Sequence, residues 1–289
     1  MVWREAIDKA AAYLDGKGVP CARGAAEFLV ARLAGLGRGM LGGFASEECD
    51  ERRLEAMRRG MKRLAAGEPL QYVLGEWDFR RLTLKCDRRA LIPRPETEGL
   101  VDRALAFLAT RAARCGSRPS VVDAGTGTGA IILSIAKEYR GDALLVGTDA
   151  SEDAIALARE NAVLCSLEEK AAFAVMDGLD GFDEPGSIDL VVSNPPYIES
   201  GAIAGLDPRV RDWEPRMALD GGADGLAFYE RYLGDALNLL KPGGAALFEI
   251  GDTQGEAVAA MFKAYGFAEI KIEKDLAGRD RYAGGRLLQ

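Results

Sequence analysis

Three features of this chain predict an α/β fold built on a mostly parallel sheet. Strands and helices alternate from residue 120 onward, a glycine-rich turn separates the first of those strands from its helix, and an Asn-Pro-Pro-Tyr run follows the fourth. Alternation of this kind places helices on both faces of the sheet. The apolar runs predict seven strands, at 121–124, 144–148, 171–176, 188–192, 245–250, 268–273 and 281–288. Helices are expected at 130–139, 152–164, 226–240 and 256–265. Ser151 is a suitable N-cap for the second of these. Lys241-Pro242-Gly243-Gly244 is expected to end the third.

The first 70 or so residues read as a small bundle of short helices. Leu54, Met57, Met61 and Leu64 recur at helical spacing, and Ala25, Leu29, Leu33 and Leu36 form a second apolar stripe. A glycine-rich break at 35–43 separates the two stripes. Between 76 and 92 the apolar residues Trp77, Phe79, Leu82, Leu84, Leu91 and Ile92 suggest short strands in a hairpin or hinge. Pro93 and Pro95 stop them, and a helix is expected from Thr97 through Leu108. The division expected is 1–74 for the bundle, 75–95 for the hairpin hinge and 96–289 for the α/β domain.

At 289 residues, with 48% hydrophobic and 28% charged residues, the chain has enough core for two domains without staples. Its five cysteines, Cys21, Cys49, Cys86, Cys115 and Cys165, stand singly with no C-x-x-C. That pattern suits reduced thiols in a cytoplasmic protein, not a disulfide frame or a metal site. The N-terminal residues carry Arg4, Glu5, Asp8 and Lys9, so no signal-peptide core is read there, and no apolar run is long enough for a membrane span. There is no histidine, which excludes His-based triads and His-ligated metals and removes the usual general base near neutral pH. A net charge of −8 argues against a general nucleic-acid binder. Twelve basic residues nevertheless gather between Arg52 and Arg94. They read either as solvated surface or as a docking face for an acidic or RNA-associated partner.

Asn194-Pro195-Pro196-Tyr197 sits where a parallel strand opens onto a loop, the edge at which open α/β sheets bind ligands. The consecutive prolines push Asn194 and Pro195 to extended conformations and remove two N–H groups. What remains is a stiff loop offering the Asn194 side-chain oxygen, the Pro195 carbonyl and the Tyr197 ring. Such a set can hold a planar amino group; it can also be no more than a rigid turn with a packed tyrosine. Asp123-Ala124-Gly125-Thr126-Gly127-Thr128-Gly129 forms the turn after the first strand, where glycine lets backbone approach a ligand closely. Asp149 ends the next strand at the distance usual for a carboxylate that grips ribose hydroxyls. With Ala130 the loop also satisfies the dinucleotide pattern. The G-x-G-x-G spacing, Asp177 after the third strand, with Gly178 beside it, and the amide-gripping loop favour S-adenosyl-L-methionine, since a hydride-transfer reading leaves residues 194–197 without a task.

The chain resembles the release factor glutamine methyltransferases, the PrmC/HemK family, along nearly its whole length. Four segments carry the resemblance: Pro69-Leu70-Gln71-Tyr72-Val73-Leu74-Gly75 with Phe79; Leu91-Ile92-Pro93-Arg94-Pro95-Glu96-Thr97-Glu98; residues 125–129 with 194–198; and residues 214–222 with Asp224-Gly225-Leu226. The resemblance implies a class I, Rossmann-like methyltransferase domain with a seven-stranded sheet. It implies methyl transfer from S-adenosyl-L-methionine to the glutamine of a release factor's Gly-Gly-Gln motif, with the N-terminal helices recognising that partner and no direct nucleic-acid binding. Asn194 is then the catalytic residue, with Pro195, Pro196 and Tyr197 contacting substrate. Gly125, Thr126, Gly127, Thr128, Gly129, Asp149, Asp177, Gly178 and Asn194 would hold the cofactor. Where several relatives carry a bulky aromatic after the Asp177 position, this chain has Gly178, so the adenine wall is expected from Leu179, Phe182 or backbone. Arg94, Glu96, Glu98, Glu214, Asp220 and Asp224 stay open between pocket shaping and structural ion pairs, and Trp213 has no assigned role. A ribosomal-protein glutamine methyltransferase, a DNA adenine methyltransferase and a non-catalytic binding module are the competing readings.

Overall fold

A computed structural model describes residues 1–115 and 118–288, apart from the side chains of Arg38 and residues 112–115. The Cys115 thiol therefore lies outside the described residues; Cys21, Cys49, Cys86 and Cys165 are free thiols. In chain order the elements are α1 (Trp3–Asp15), α2 (Ala22–Ala34), α3 (Leu41–Phe44), α4 (Glu51–Ala65), α5 (Leu70–Leu74), β1 (Glu76–Phe79), β2 (Leu82–Lys85) and α6 (Thr97–Cys115). They continue with β3 (Ser120–Ala124), α7 (Ala130–Glu138), β4 (Leu144–Asp149), α8 (Glu152–Leu164), β5 (Ala172–Val175), β6 (Ile188–Ser193) and α9 (Pro208–Arg211). The last are α10 (Ala227–Leu239), β7 (Leu240–Glu249), α11 (Gly255–Ala264), β8 (Ala268–Lys274) and β9 (Asp280–Arg286). The chain divides into two compact units: Met1–Glu76 with Asp207–Trp213, and Trp77–Leu206 with Glu214–Gln289.

The first unit is helical. Leu54, Met57 and Leu64 of α4 bury against Leu29 and Val30 of α2 and Trp3, Ile7 and Leu14 of α1, so the apolar stripes read from spacing are its core. Gly60 permits this approach: a Cβ there would stand 2.7 Å from the Leu29 side chain. The Asp50 side chain caps α4 by accepting the Arg53 N–H at 2.8 Å. Leu36 falls outside its stripe's helix, because Gly35 ends α2 with φ 68°. The glycine-rich stretch expected as a plain break contains a 3-10 turn, Arg38–Met40, and the single turn α3.

In the second unit the sheet order is β5-β4-β3-β6-β7-β9-β8. The first five strands run parallel, and β9 is antiparallel to both β7 and β8. Side chains alternate across it. Val121, Leu190 and Val192 face a cluster with α6 and α7, whereas Val122, Ala124 and Val191 face one with α10 and α11. Strand β3 has β4 on one side and β6 on the other, so the chain leaves β3 and β6 in opposite directions and opens a crevice at their C-terminal ends. Three expectations shift. The strand expected at 245–250 starts at Leu240: residues 241–244 end α10 as expected but fall within β7, as a bulge between the Ile188–Leu240 and Leu190–Ala245 pairs where Gly243 takes a positive φ. The helix from Thr97 runs past Leu108 to Cys115, since no breaker intervenes. Leu91 and Ile92 lie in a loop outside the hairpin, where the Ile92 N–H bonds to the Glu214 side chain and not into a strand ladder.

Candidate active site

The crevice holds a cleft of about 280 Å³, lined by the glycine loop, by Asp149, Asp177 and Gly178, and by Asn194 and Pro196. Gly125, Gly127 and Gly129 all have positive φ, at 74°, 55° and 81°, a conformation costly for residues with a Cβ. The Gly125 and Thr126 N–H groups donate to the Thr148 carbonyl at 2.9 and 2.8 Å, fastening the turn to the end of β4. Thr126 Oγ1 donates to the buried Asp123 carboxylate at 2.6 Å. Burial pushes Asp123 up to about 7, against that hydrogen bond. Asp149 accepts the Gly127 N–H at 2.9 Å on one oxygen and the Ser151 N–H at 2.9 Å on the other. Burial raises its pKa and the two backbone donors oppose the rise. Each oxygen keeps a lone pair for a hydroxyl donor from the cleft. Ser151 also caps α8 through Ala154, as its position predicts.

Helix α10 supplies a wall that the sequence did not reveal. Phe228, Arg231 and Tyr232, at i, i+3 and i+4, share one face and line the cleft. The Arg231 guanidinium lies 5.6 Å from the Phe228 ring centroid and 5.2 Å from that of Tyr232. It also pairs with both carboxylate oxygens of Asp177, one at 2.8 Å, which lowers the Asp177 pKa. Gly178 has φ 67°, and a Cβ there would stand 2.5 Å from Tyr232 Cε1 and 2.7 Å from Arg231 Nη2. The space that a side chain at 178 would take is thus filled from α10. The expectation that Leu179 or Phe182 forms a wall is corrected: Leu179 is a buried core residue and Phe182 packs against the same core, neither lining the cleft. Helical periodicity alone could not have shown this, because a cleft-lining face and a core-facing one have the same spacing.

Behind the lining residues Ile92 and Arg94, Glu214 is buried, pairs with Arg94 at 2.5 Å and accepts the Ile92 N–H at 3.1 Å. This fastens the 91–94 loop. The residue pairs left open by the sequence divide accordingly. Glu98 accepts the Arg80 N–H at 3.0 Å, the Glu96 carbonyl accepts the Tyr282 hydroxyl at 2.6 Å, and Asp224 accepts the Leu226 N–H at 3.0 Å. Asp220 takes the Ser200 hydroxyl and the Gly222 N–H. All five bonds are structural, that of Glu96 through its backbone, and none of these four residues lines the cleft.

The Asn-Pro-Pro-Tyr loop is clamped by the glycine segment after Glu214. Ile198 donates to the Leu219 carbonyl at 3.1 Å, and Gly221 returns a bond to the Ile198 carbonyl at 2.8 Å. A Cβ on Gly221 would stand 2.8 Å from the Pro196 carbonyl, so only glycine allows this approach. Gln254 Nε2 holds the Tyr197 carbonyl at 3.1 Å. Asn194 and Pro196 line the cleft; Gly129, Pro195 and Tyr197 do not. The Tyr197 ring packs against the core of the α10 side, where burial raises its hydroxyl to about 12. Asn194 Nδ2 donates to Thr97 Oγ1 at 3.1 Å, and Thr97 Oγ1 donates to Glu249 Oε2 at 2.6 Å.

A family described as "Methyltransferase domain" matches residues 117–276, and one described as "PrmC N-terminal domain" matches residues 5–75. The release factor glutamine methyltransferase of Geobacter sulfurreducens is 38% identical over 99% of this chain and 98% of its own length. The chain belongs to the release factor glutamine methyltransferase family. The Caulobacter vibrioides member is 43% identical over 78% of this chain and 75% of its own length. The fold of this family member is shared more widely. The catalytic domain of human METTL16, solved with a MAT2A 3′UTR hairpin, aligns with a TM-score of 0.58 at 17% identity, over 78% of this chain and 82% of that one. The seven-stranded class I methyltransferase architecture that the resemblance implied is therefore the one present.

Proposed function

We propose that this protein transfers a methyl group from S-adenosyl-L-methionine to the side-chain amide nitrogen of the glutamine in a release factor's Gly-Gly-Gln motif. The observation that carries the proposal is the Asn194 carboxamide on the cleft wall, its nitrogen turned to Thr97 and its oxygen left as an acceptor, opposite a glycine-loop cradle. The residues present fit the cofactor. Positive-φ glycines let backbone N–H groups approach a ligand, Asp149 keeps carboxylate lone pairs for ribose hydroxyls, and Phe228 and Tyr232 offer aromatic faces for the adenine. When bound, the cofactor supplies an electrophilic methyl on a sulfonium sulfur.

The chain's own part is to hold a poor nucleophile. An amide nitrogen's lone pair is delocalised into its carbonyl. Asn194 Oδ1, on the cleft wall, accepts one of its N–H groups, fixes its direction and stabilises the positive charge that develops as it is alkylated; the Pro195 carbonyl, read from the sequence as the second acceptor, does not line the cleft. Positioning of this kind is worth up to about 7–11 kcal/mol of barrier. The N-methylated cationic amide is strongly acidic, so no dedicated base is required, in keeping with a sequence that lacks histidine. Residues 1–74 are assigned to partner recognition, 75–95 to the hinge and 96–289 to methyl transfer, in a cytoplasmic protein that needs no nucleic acid.

Mass spectrometry of purified release factor, incubated with the protein and labelled cofactor, tests the reading: one methyl should appear on the Gly-Gly-Gln glutamine. Labelling of ribosomal protein instead would overturn the substrate assignment. Asn194→Ala should lower single-turnover transfer by about 10²- to 10³-fold, as for loss of one preorganised transition-state partner. An unchanged rate removes Asn194 from the mechanism.

A further inference from the structure

The orientation of a carboxamide is decided by its hydrogen-bond partners, because its two ends have nearly the same shape and opposite polarity. At Asn194 the partner is Thr97 Oγ1, 3.1 Å away, the first residue of α6 and itself buried. A threonine hydroxyl has one proton and two lone pairs. Its proton has a committed destination: Glu249 Oε2, at the end of β7, lies 2.6 Å from the same oxygen. Above about pH 7 Glu249 is ionised and can only accept. Thr97 therefore shows Asn194 nothing but lone pairs, and only the Nδ2 end of Asn194 can face it. No protein donor among the described residues reaches Asn194 Oδ1.

Glu249 is 1% exposed, and Thr97 stands between it and the cleft, which Thr97 and Asn194 line and Glu249 does not. A buried carboxylate is costly, and a helix start and a strand end need none for packing alone. We propose that Thr97 and Glu249 are positioning residues: a two-step hydrogen-bond relay that locks the Asn194 carboxamide with its oxygen toward the substrate nitrogen. The inference rests on the reading of Asn194 as the substrate's acceptor, and extends it to two residues that never touch the reacting atoms. With the relay broken, the carboxamide can turn its NH₂ toward the substrate amide, donor facing donor, and the bound nitrogen loses its alignment.

Two measurements test the lock. The first reads Asn194 without turnover. The sequence contains three asparagines, Asn161, Asn194 and Asn238, so ¹⁵N-asparagine labelling gives few side-chain amide signals, and Asn194→Ala identifies the one that matters. Thr97→Val, nearly isosteric, should shift the Asn194 NH₂ pair, and Thr97→Ser should return it to the wild-type position. A Thr97→Val spectrum with the Asn194 signals unmoved overturns the lock. The second is a double-mutant cycle on single-turnover methyl transfer. Thr97→Val should lower the rate about 10- to 100-fold, with S-adenosylhomocysteine affinity by calorimetry within about twofold of wild type. Thr97→Ser should recover most of the rate, and Thr97→Val added to Asn194→Ala should cost nothing further. Equal losses in both backgrounds would make Thr97 a general structural residue and refute the proposal. Glu249→Gln, whose amide oxygen still accepts from Thr97, guards against a folding defect and should keep the Asn194 signals in place; shifted signals in a folded Glu249→Gln protein would count against the relay. If Asn194→Ala transfers methyl at the wild-type rate, the acceptor reading fails on its own, while the spectra still report whether the lock exists.

Discussion

Replacing Gly178 with alanine tests how the cleft is walled. Gly178 has φ 67°, and holding a residue with a Cβ there costs about 1–2 kcal/mol. The added carbon would also stand 2.5 Å from Tyr232 Cε1 and 2.7 Å from Arg231 Nη2. Arg231 can swing its end aside, but the Tyr232 ring is packed, 6.4 Å centroid to centroid from Phe248 and in edge contact with Phe228 at 5.8 Å. Overpacking of that kind costs about 1–3 kcal/mol. The expected loss of stability is therefore about 2–5 kcal/mol, with α10 displaced outward from the cleft. If the ring walls the adenine, its displacement forfeits a base–aromatic stack worth about 1–3 kcal/mol, so S-adenosylhomocysteine affinity should fall about 5- to 150-fold. Urea denaturation and calorimetry measure both. Tyr232→Ala supplies the control: the clash has no partner in the double variant, so Gly178→Ala should cost about 1–3 kcal/mol less in that background. Additivity within about 0.5 kcal/mol, or unchanged affinity in Gly178→Ala, would refute the assignment.

Three further outcomes are expected. Asp149→Ala should weaken S-adenosylhomocysteine binding by about 1.5–3 kcal/mol, the worth of hydrogen bonds to a charged acceptor, and an unchanged dissociation constant by calorimetry would take Asp149 out of the site. Burial raises Glu249 to about 7, so between the ordinary glutamate value and about pH 7 the folded state holds a proton that the unfolded chain has already released. The stability from this group is then fullest below the ordinary glutamate value and is lost as pH rises through about 7. The loss amounts to about 3 kcal/mol, so Glu249→Gln should flatten the fall in urea-derived stability between pH 5 and 8, and parallel pH curves would contradict this. A chain starting at Gly75 that folds and binds S-adenosylhomocysteine should lose far more activity on intact release factor than on a short Gly-Gly-Gln peptide; equal losses would contradict the recognition role of residues 1–74.

Much of this protein is legible in its sequence. Alternating apolar runs predicted seven strands, because a buried parallel strand must be apolar on both faces over its short length. The glycine loop, Asp149 and Asn194 were readable because backbone conformation and strand-end position are local properties, carried by neighbours in the chain. The helix α6 ran longer than expected, since no breaker follows Leu108, and β7 began at Leu240, before the expected 245, because Leu240 pairs with Ile188 and the Pro242-Gly243 stretch is accommodated as a bulge held by Leu287. What only the tertiary structure decided lies across long separations. Thr97 meets Asn194 from 97 residues away and Glu249 from 152, and Arg231 meets Asp177 across 54. No local pattern marks such partners: Phe228, Arg231 and Tyr232 have the spacing of any amphipathic helix, and Thr97 is an ordinary helix start. They become a wall and a relay only once the sheet order places β3 beside β6 and β6 beside β7, which brings these side chains to one crevice.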